Sequence, residues 1–193
     1  MQEETSWHYD LGIFHRPMSN VDTKLVFYYI DIDNYIVGNS GDVFHNASAY
    51  GFNIDNMSFY GTEVEFNASL FDNLTLFGNY TYRKSDYDRS KLIAEAILLK
   101  ITPEHKANLG IRYSLFNNTL LTSDIRYIGE RKSEGNVMNL DSFITVDVGL
   151  QHSYTKNIVL RVYATNILDK KYQEVYGFPM PGVGCGVNLK LVF

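Results

Sequence analysis

The sequence predicts an all-β fold, an antiparallel up-and-down transmembrane β-barrel, of which this chain supplies about nine strands. Three observations predict it. Apolar and polar residues alternate along most of the chain, tight connections alternate with long polar ones, and the last run, GCGVNLKLVF, ends on an aromatic, Phe193. Because side chains alternate between the two faces of a strand, such runs give one apolar and one polar face.

The first four strands are predicted at 7–14, 24–35, 61–70 and 74–83. In the second, the residues assigned to the apolar face are Val26, Tyr28, Ile30 and Ile32. The third alternates more cleanly, with Val64 and Phe66 opposing Glu63 and Glu65. Each run has about the length that a tilted strand needs to cross a bilayer.

Five further strands are predicted at 107–115, 121–127, 144–151, 158–165 and 185–193. In the last of them, one apolar face carries Cys185, Val187, Leu189, Leu191 and Phe193. A final strand that ends on a bare aromatic has little protection against edge pairing if it lies in water. It therefore favours a barrel in a membrane over a soluble sandwich.

The connections differ in length on the two sides of the predicted sheet. Tight ones are expected at 71–73, 116–118 and 155–157, and long polar loops at 36–58, 84–103, 130–141 and 167–183. The second long loop contains a possible helical turn at 91–100. Short turns on one side and long loops on the other are typical of outer-membrane barrels, whose long loops are extracellular.

The predicted faces also differ in chemistry. Charged residues such as Asp124, Arg126, Asp147 and Arg161 fall on the polar face, where a wet interior suits them. Aromatic residues gather near strand ends, as in the girdles of membrane barrels: Trp7, Tyr9, Tyr82, Tyr113, Tyr127 and Tyr154. Alternation by itself also describes soluble barrels, whose apolar face points inward, so a soluble lipid-binding barrel remains an alternative.

Composition excludes several classes of function. A net charge of −5 argues against nucleic acid as a partner, because phosphate binding requires clustered Lys and Arg. The lone cysteine, Cys185, cannot form an internal disulfide or a Cys-based metal site.

Glu95 and Lys100 interrupt the most apolar run, 92–101, so no spanning helix is expected. The acidic N-terminus does not resemble a signal peptide, which suits a cytosolic protein, a fragment or a mature product.

The run ATNILDKKYQEVYGFPMPG, followed by a short strand ending in Phe193, resembles the C-terminal end of TonB-dependent outer-membrane receptors. Segments 61–65, 103–106 and 127–129 resemble other strand-boundary patterns of that family. The residues that carry the loop motif are Asn166, Ile167, Asp169, Lys170, Tyr172, Pro181 and Gly182. The chain departs from the family where Val183 follows Pro-Gly, since an Arg is usual there.

The resemblance implies an active-transport receptor for a scarce ligand such as a ferric siderophore, haem, cobalamin or a glycan. Family members resemble plugged barrels of about 22 strands. Residues 1–193 would be the C-terminal portion of such a barrel, with plug and earlier strands absent. An odd strand count, with both chain ends expected on the side of the tight turns, does not close as a bacterial barrel. The second alternative is a small self-contained barrel of eight to ten strands with a structural or adhesive role.

The partners implied are outer-membrane lipid, the barrel-assembly machinery and, only through the missing plug region, the TonB complex. The location implied is the outer membrane of a Gram-negative bacterium. The final strand would carry the assembly signal in Val187, Leu189, Leu191 and Phe193.

Ligand contacts are expected in the long loops, and no enzymatic activity is expected. The candidates are Tyr172, Tyr176 and Phe178 in the last loop and His45 in the first, although simple loop packing or solvation would account for them equally or better. No catalytic motif appears, and the five His are too scattered to predict a metal site. No cofactor is expected.

Overall fold

The structure is a computed structural model that describes residues 2–39, 50–87, 102–131 and 139–193. Its strands are β1 (Thr5–Met18), β2 (Val21–Asn39), β3 (Tyr50–Phe71), β4 (Leu74–Tyr87), β5 (His105–Leu115), β6 (Thr119–Ile128), β7 (Phe143–Thr155), β8 (Ile158–Thr165), β9 (Gln173–Val175), β10 (Phe178–Pro179) and β11 (Gly184–Leu191). None of the described residues forms a helix long and apolar enough to cross a membrane.

Nine of these strands form one antiparallel sheet in the order β1-β2-β3-β4-β5-β6-β7-β8-β11. The short strands β9 and β10 pair with each other in the loop between β8 and β11. The prediction of an all-β meander of nine strands is confirmed. β1 and β11 lie at opposite edges of the sheet, so the barrel is not closed within the described part of the chain.

The two faces of the sheet follow from the strand register. Opposed residues in an antiparallel pair project from the same face. The apolar face contains the chain of opposed residues Leu25, Val64, Tyr80, Ala107, Tyr127 and Ile144. The polar face contains Lys24, Glu65, Asn79, Asn108, Arg126 and Thr145. The names apolar face and polar face are used below in this sense.

The assignment of β2 to faces was wrong. Val26 lies opposite Glu63, whereas Leu25 lies opposite Val64. Val26, Tyr28, Ile30 and Ile32 therefore project from the polar face. The prediction failed because Leu25, Phe27 and Tyr29 are also apolar, so β2 carries no polar-apolar contrast from which its orientation could be inferred.

The first long loop is shorter than predicted. β2 continues to Asn39 and β3 begins at Tyr50, with pairing between Ile36 and Asn53 inside the segment assigned to loop 36–58. Polar and Gly-rich composition suggested a loop, but main-chain pairing with the neighbouring strand outweighs that local preference. The possible helical turn at 91–100 lies outside the described residues.

The chain ends also differ from expectation. Thr5 at the start of β1 lies opposite Asp33, near the loop end of β2, so the chain enters the sheet from the side of the long loops. At the other end, the Val192 amide donates to the Asn157 carbonyl at 3.0 Å, beside a tight turn. An antiparallel sheet with an odd number of strands must begin and end on opposite sides.

The apolar side chains are mostly exposed. Leu11 on β1 is 62% exposed, and Val187 and Leu189 on β11 are 70% and 57% exposed. Within the described ranges the only buried hydrophobic cluster is that of Ile32, Met57 and Phe59, which lies on the polar face. An apolar face of this extent is unfavourable in water and is stabilised by contact with lipid.

The last loop and the polar face: a candidate functional site

The last loop begins with a turn organised by Asn166. Asn166 is 5% exposed and has a left-handed backbone, with φ of 48°. Its amide N–H donates to Asp147 Oδ1 at 2.7 Å, and its side-chain Nδ2 donates to the carbonyls of Lys170 at 3.0 Å and Pro181 at 3.3 Å. The Lys170 amide donates to Asn166 Oδ1 at 3.0 Å. Asn166 thus joins β7 through its main-chain amide, and its side chain joins the turn to the far end of the loop.

Asp169 closes the same loop at its exit. Its Oδ1 accepts hydrogen bonds from Lys171 Nζ at 2.9 Å and from the Val183 amide at 3.1 Å. These bonds, led by that from Lys171, lower the pKa of the Asp169 carboxyl below its ordinary value of 3.8. A Cβ at Gly182 would collide with this carboxylate. The motif residues Asn166, Asp169 and Gly182 therefore act together to fix the two ends of the loop.

The β9–β10 hairpin of this loop is attached to the rest of the molecule by arginines. Arg131, which is 7% exposed, donates from Nη1 to the Glu174 carbonyl at 2.7 Å and from Nη2 to the Gln173 carbonyl at 2.9 Å. Arg126 on the polar face forms an ion pair with the Glu174 carboxylate at 2.8 Å. Burial lowers the pKa of the Arg131 guanidinium, and the charge of Glu174 opposes that effect.

Tyr172 packs on the polar face. Its ring lies 4.2 Å from that of Phe143, measured between centroids, and its hydroxyl accepts a hydrogen bond from Arg126 Nη2 at 3.2 Å. The Arg126 guanidinium lies over both rings, 5.3 Å from Phe143 and 5.8 Å from Tyr172. This cluster secures the start of the hairpin.

A cavity of about 450 Å³ lies between the last loop and the polar face. Asp124, Arg126 and Asp147 line it from the sheet, and Tyr172 and Pro181 line it from the loop. Both charges and amides are present, since Asn79 and Asn108 also contribute and hydrogen-bond each other at 2.9 Å. Apolar atoms make up most of the rest of the lining, so the cavity offers an apolar surface with a few polar groups that could hold water or orient a ligand.

Aromatic rings on the polar face cover glycines on adjacent strands. Tyr28 lies opposite Gly61, Phe77 opposite Gly110 and Tyr163 opposite Gly186. In each pair the ring occupies the space that a Cβ of the glycine would need. Arg112 in turn lies over the Phe77 ring, 4.8 Å from its centroid. Such cross-strand pairs shield a glycine backbone and help to fix register.

The predicted ligand contacts lie in different surroundings. Tyr172 is packed against Phe143, whereas Tyr176 and Phe178 at the hairpin tip are 52% and 69% exposed. His45 lies outside the described residues. Among those described, no three His, Cys, Asp or Glu side chains are grouped so as to hold a metal ion.

The residues of the predicted assembly signal lie together along the sheet edge. Val187, Leu189 and Leu191 are exposed on the apolar face of β11, and Phe193 follows them. Sequence reasoning missed Arg131 and Glu174, the residues that dock the last hairpin. Both lie in polar segments with no periodic pattern, so no signal in the sequence singled them out.

A one-layer antiparallel meander with a lipid-suited outer face, a polar inner face and a long folded loop defines a segment of an outer-membrane β-barrel. The sequence pattern of the family described as TonB dependent receptor-like, beta-barrel matches residues 1–167. The chain belongs to this family, whose members are outer-membrane transport receptors of Gram-negative bacteria and not enzymes.

Curated relatives support the assignment. The metal-pseudopaline receptor CntO of Pseudomonas aeruginosa is 28% identical over 120 residues, which cover 59% of this chain and 17% of CntO. The iron-regulated outer membrane virulence protein of Vibrio cholerae is 24% identical over a 209-residue alignment that covers the whole chain and 32% of the relative. The chain thus spans less than a third of the length of either relative.

Solved structures share the fold. The copper transporter OprC superimposes with a TM-score of 0.77 at 15% identity, covering 97% of this chain and 31% of OprC. The siderophore receptor PirA of Acinetobacter baumannii gives a TM-score of 0.77 at 17% identity, covering 98% of this chain and 32% of PirA. At these identities the likeness extends to the fold alone.

Proposed function

We propose that residues 1–193 form the C-terminal portion of the barrel of a receptor that actively takes up a scarce ligand, namely a siderophore-bound metal, haem, cobalamin or a glycan. Family membership supports the class of receptor. The observation that carries the proposal is the cavity beneath the last loop, with charged and amide residues on its sheet wall, because a transport lumen requires a hydrated wall and a covering loop on its outer side. The relatives' names favour a metal-carrying ligand over a glycan.

The ligand would meet the receptor at the tip of the last hairpin. Tyr176 and Phe178 are exposed there and offer rigid apolar surface at low entropic cost. Tyr172 would act indirectly, because its ring and hydroxyl are already engaged with Phe143 and Arg126. His45 remains a candidate from the first loop.

The test compares ligand binding by the full-length receptor before and after loss of the two exposed aromatics. Cells that express the full-length receptor are supplied with radiolabelled iron as a panel of ferric siderophores, and iron uptake is measured. The Kd of the receptor is then determined for each chelate that is taken up. Tyr176→Ala combined with Phe178→Ala should weaken binding roughly tenfold or more. Phe116→Ala is the matched control, since Phe116 is 84% exposed at a tight turn on the opposite side.

Uptake that needs no energised inner membrane would contradict the transport class. Uptake with unchanged Kd in the double variant would contradict only the assigned contacts. If the receptor takes up no chelate in the panel but imports haem, cobalamin or a glycan, the proposed class of active-transport receptor stands and the ligand is reassigned.

The partners follow from the same proposal. Lipid would cover the apolar face, and TonB would act through a plug region encoded ahead of these residues. The barrel-assembly machinery would recognise the apolar face of β11 and Phe193. Deleting Phe193 from the full-length receptor should lower its yield in the outer membrane severalfold, whereas Lys156→Gln at a tight turn should not. An unchanged amount of heat-modifiable barrel after the deletion would contradict the assembly role.

A further inference from the structure

A second pocket lies on the opposite side of the sheet from the cavity. Its volume is about 300 Å³, and it is lined by Tyr127, Ser142, Phe143, Ile144, Leu168 and Lys170. Tyr127 and Ile144 are directly opposed on the apolar face, at the loop ends of β6 and β7. The pocket therefore opens toward the membrane at the level where the strands meet the loops.

The turn that follows β8 forms the upper wall of this pocket. The Ile167 amide donates to the Val146 carbonyl of β7 at 2.9 Å, which holds the turn against the top of that strand. Leu168 is 59% exposed and Ile144 is 46% exposed. Two apolar side chains thus line a recess at the upper boundary of the lipid-covered surface, where hydrocarbon gives way to headgroups.

Lys170 adds a positive charge to the same recess. Its main chain is fixed by the hydrogen bond of its amide to Asn166, while its ammonium has no partner among the described residues. The nearest acid in sequence, Asp169, is engaged by Lys171 and Val183. Lys170 therefore remains available to an anion from outside the protein.

We propose that this pocket binds a phosphorylated lipid of the outer leaflet. Lys170 would pair with a headgroup phosphate, and Ser142 and the Tyr127 hydroxyl are the pocket's further donors. Leu168 and Ile144 would contact the first carbons of an acyl chain. Aromatic and basic side chains are favoured at this depth because one end of each is apolar and the other is hydrated. Electrostatic attraction to anionic lipid adds to the contact.

The occupant follows from the position of the site. The long loops mark the outer side of the membrane, and the pocket lies just below them on the lipid-facing surface. A soluble ligand would have to enter through the lipid headgroups to reach it. The combination of one free cation with an apolar wall matches a lipid that carries acyl chains and phosphate groups with a net negative charge.

The test measures lipid binding to the membrane-extracted protein that carries residues 1–193. The protein is purified in dodecyl maltoside, titrated with lipid A and analysed by native mass spectrometry. Lys170→Gln should raise the half-saturating lipid A concentration about fivefold, the effect of one basic group at a lipid surface. Lys170→Arg should restore binding, and Leu168→Ser should weaken it. Lys156→Gln, the same charge change at a tight turn on the other side, should have no effect.

Three results would overturn the proposal. The first is equal binding by Lys170→Gln and the unmodified protein. The second is equal affinity for zwitterionic phosphatidylcholine and for lipid A. The third is displacement of lipid A by millimolar inorganic phosphate, which would indicate an anion site without lipid specificity. Heat-modifiable mobility of each variant verifies that a change in binding is not loss of the fold.

Discussion

The buried guanidinium of Arg131 holds Glu174 by its main chain, with Nη1 donating to the Glu174 carbonyl at 2.7 Å. The second nitrogen, Nη2, donates to the carbonyl of Gln173 at 2.9 Å. Arg131 itself is fixed by reciprocal main-chain hydrogen bonds with Leu140, each 2.9 Å long. The β6–β7 connection and the last loop are therefore linked through one planar side chain, and we expect the hairpin that covers the cavity to depend on it.

Replacing Arg131 should release the last hairpin without unfolding the sheet. Arg131→Met removes both bonds and leaves two carbonyls without their donor, at a cost of about 2–3 kcal/mol. The Met180 amide, which donates to the Tyr172 carbonyl at 2.9 Å, reports on the hairpin. Its hydrogen exchange should accelerate by one to two orders of magnitude.

The control for that experiment is Arg16→Met. Arg16 forms a single ion pair with Asp22, and its side chain is 67% exposed. Exposed pairs of this kind contribute about 0–1 kcal/mol, so exchange at Met180 should not change. Equal exchange rates in the Arg131 and Arg16 variants would show that the hairpin is held by other contacts.

Asn166 should prove sensitive for two separable reasons. Asn166→Ala removes the side-chain hydrogen bonds. It also places alanine, which disfavours left-handed backbone conformations, at φ of 48°. The expected cost is about 2–4 kcal/mol. Asn166→Gly loses the same bonds but tolerates the backbone, so its cost should be smaller by about 1 kcal/mol. Urea unfolding in lipid vesicles measures both, and identical costs would exclude backbone strain.

Acid should loosen the exit of the last loop. The hydrogen bonds of Asp169, that from Lys171 first, lower its pKa in the folded loop below the ordinary 3.8. A lowered folded-state pKa means that the stabilisation is complete above the ordinary pKa and is lost as pH falls through the folded value. The Val183 amide proton, which donates to Asp169, should therefore shift in NMR spectra only below about pH 3.8. Asp169→Asn should abolish that titration, and a midpoint above the ordinary pKa would contradict the sign.

Alternation was enough to predict the strands wherever charge contrast accompanied it. β3, with Glu63 and Glu65 against Val64, was assigned to the correct faces. β2 was not, because Leu25 and Val26 are both apolar and only pairing with β3 decides between them. Sequence contrast reports a face only when the two faces of the strand differ.

The candidate site was predicted less well than the sheet. Resemblance singled out Asn166, Asp169 and Gly182, yet their shared role in fixing the loop ends depends on hydrogen bonds between residues 14 and 15 positions apart. Arg131 follows β6 with no motif around it. The rings over glycines could not be foreseen either, since pairing Phe77 with Gly110 requires the register of β4 on β5. Contacts distant in sequence leave no local pattern from which to infer them.

The pairing of Phe77 with Gly110 leads to the last prediction. A Cβ at Gly110 would occupy the same space as the Phe77 ring, which also carries Arg112 at 4.8 Å. Gly110→Ala must therefore displace the ring and its cation contact, at a cost of about 1–3 kcal/mol. Gly12→Ala on β1 is the matched control: the nearest atom to its Cβ is Phe14 Cε2 at 3.9 Å, so the change should be neutral or slightly stabilising. Urea unfolding in lipid vesicles compares the two, and equal midpoints would mean that the ring can move aside freely.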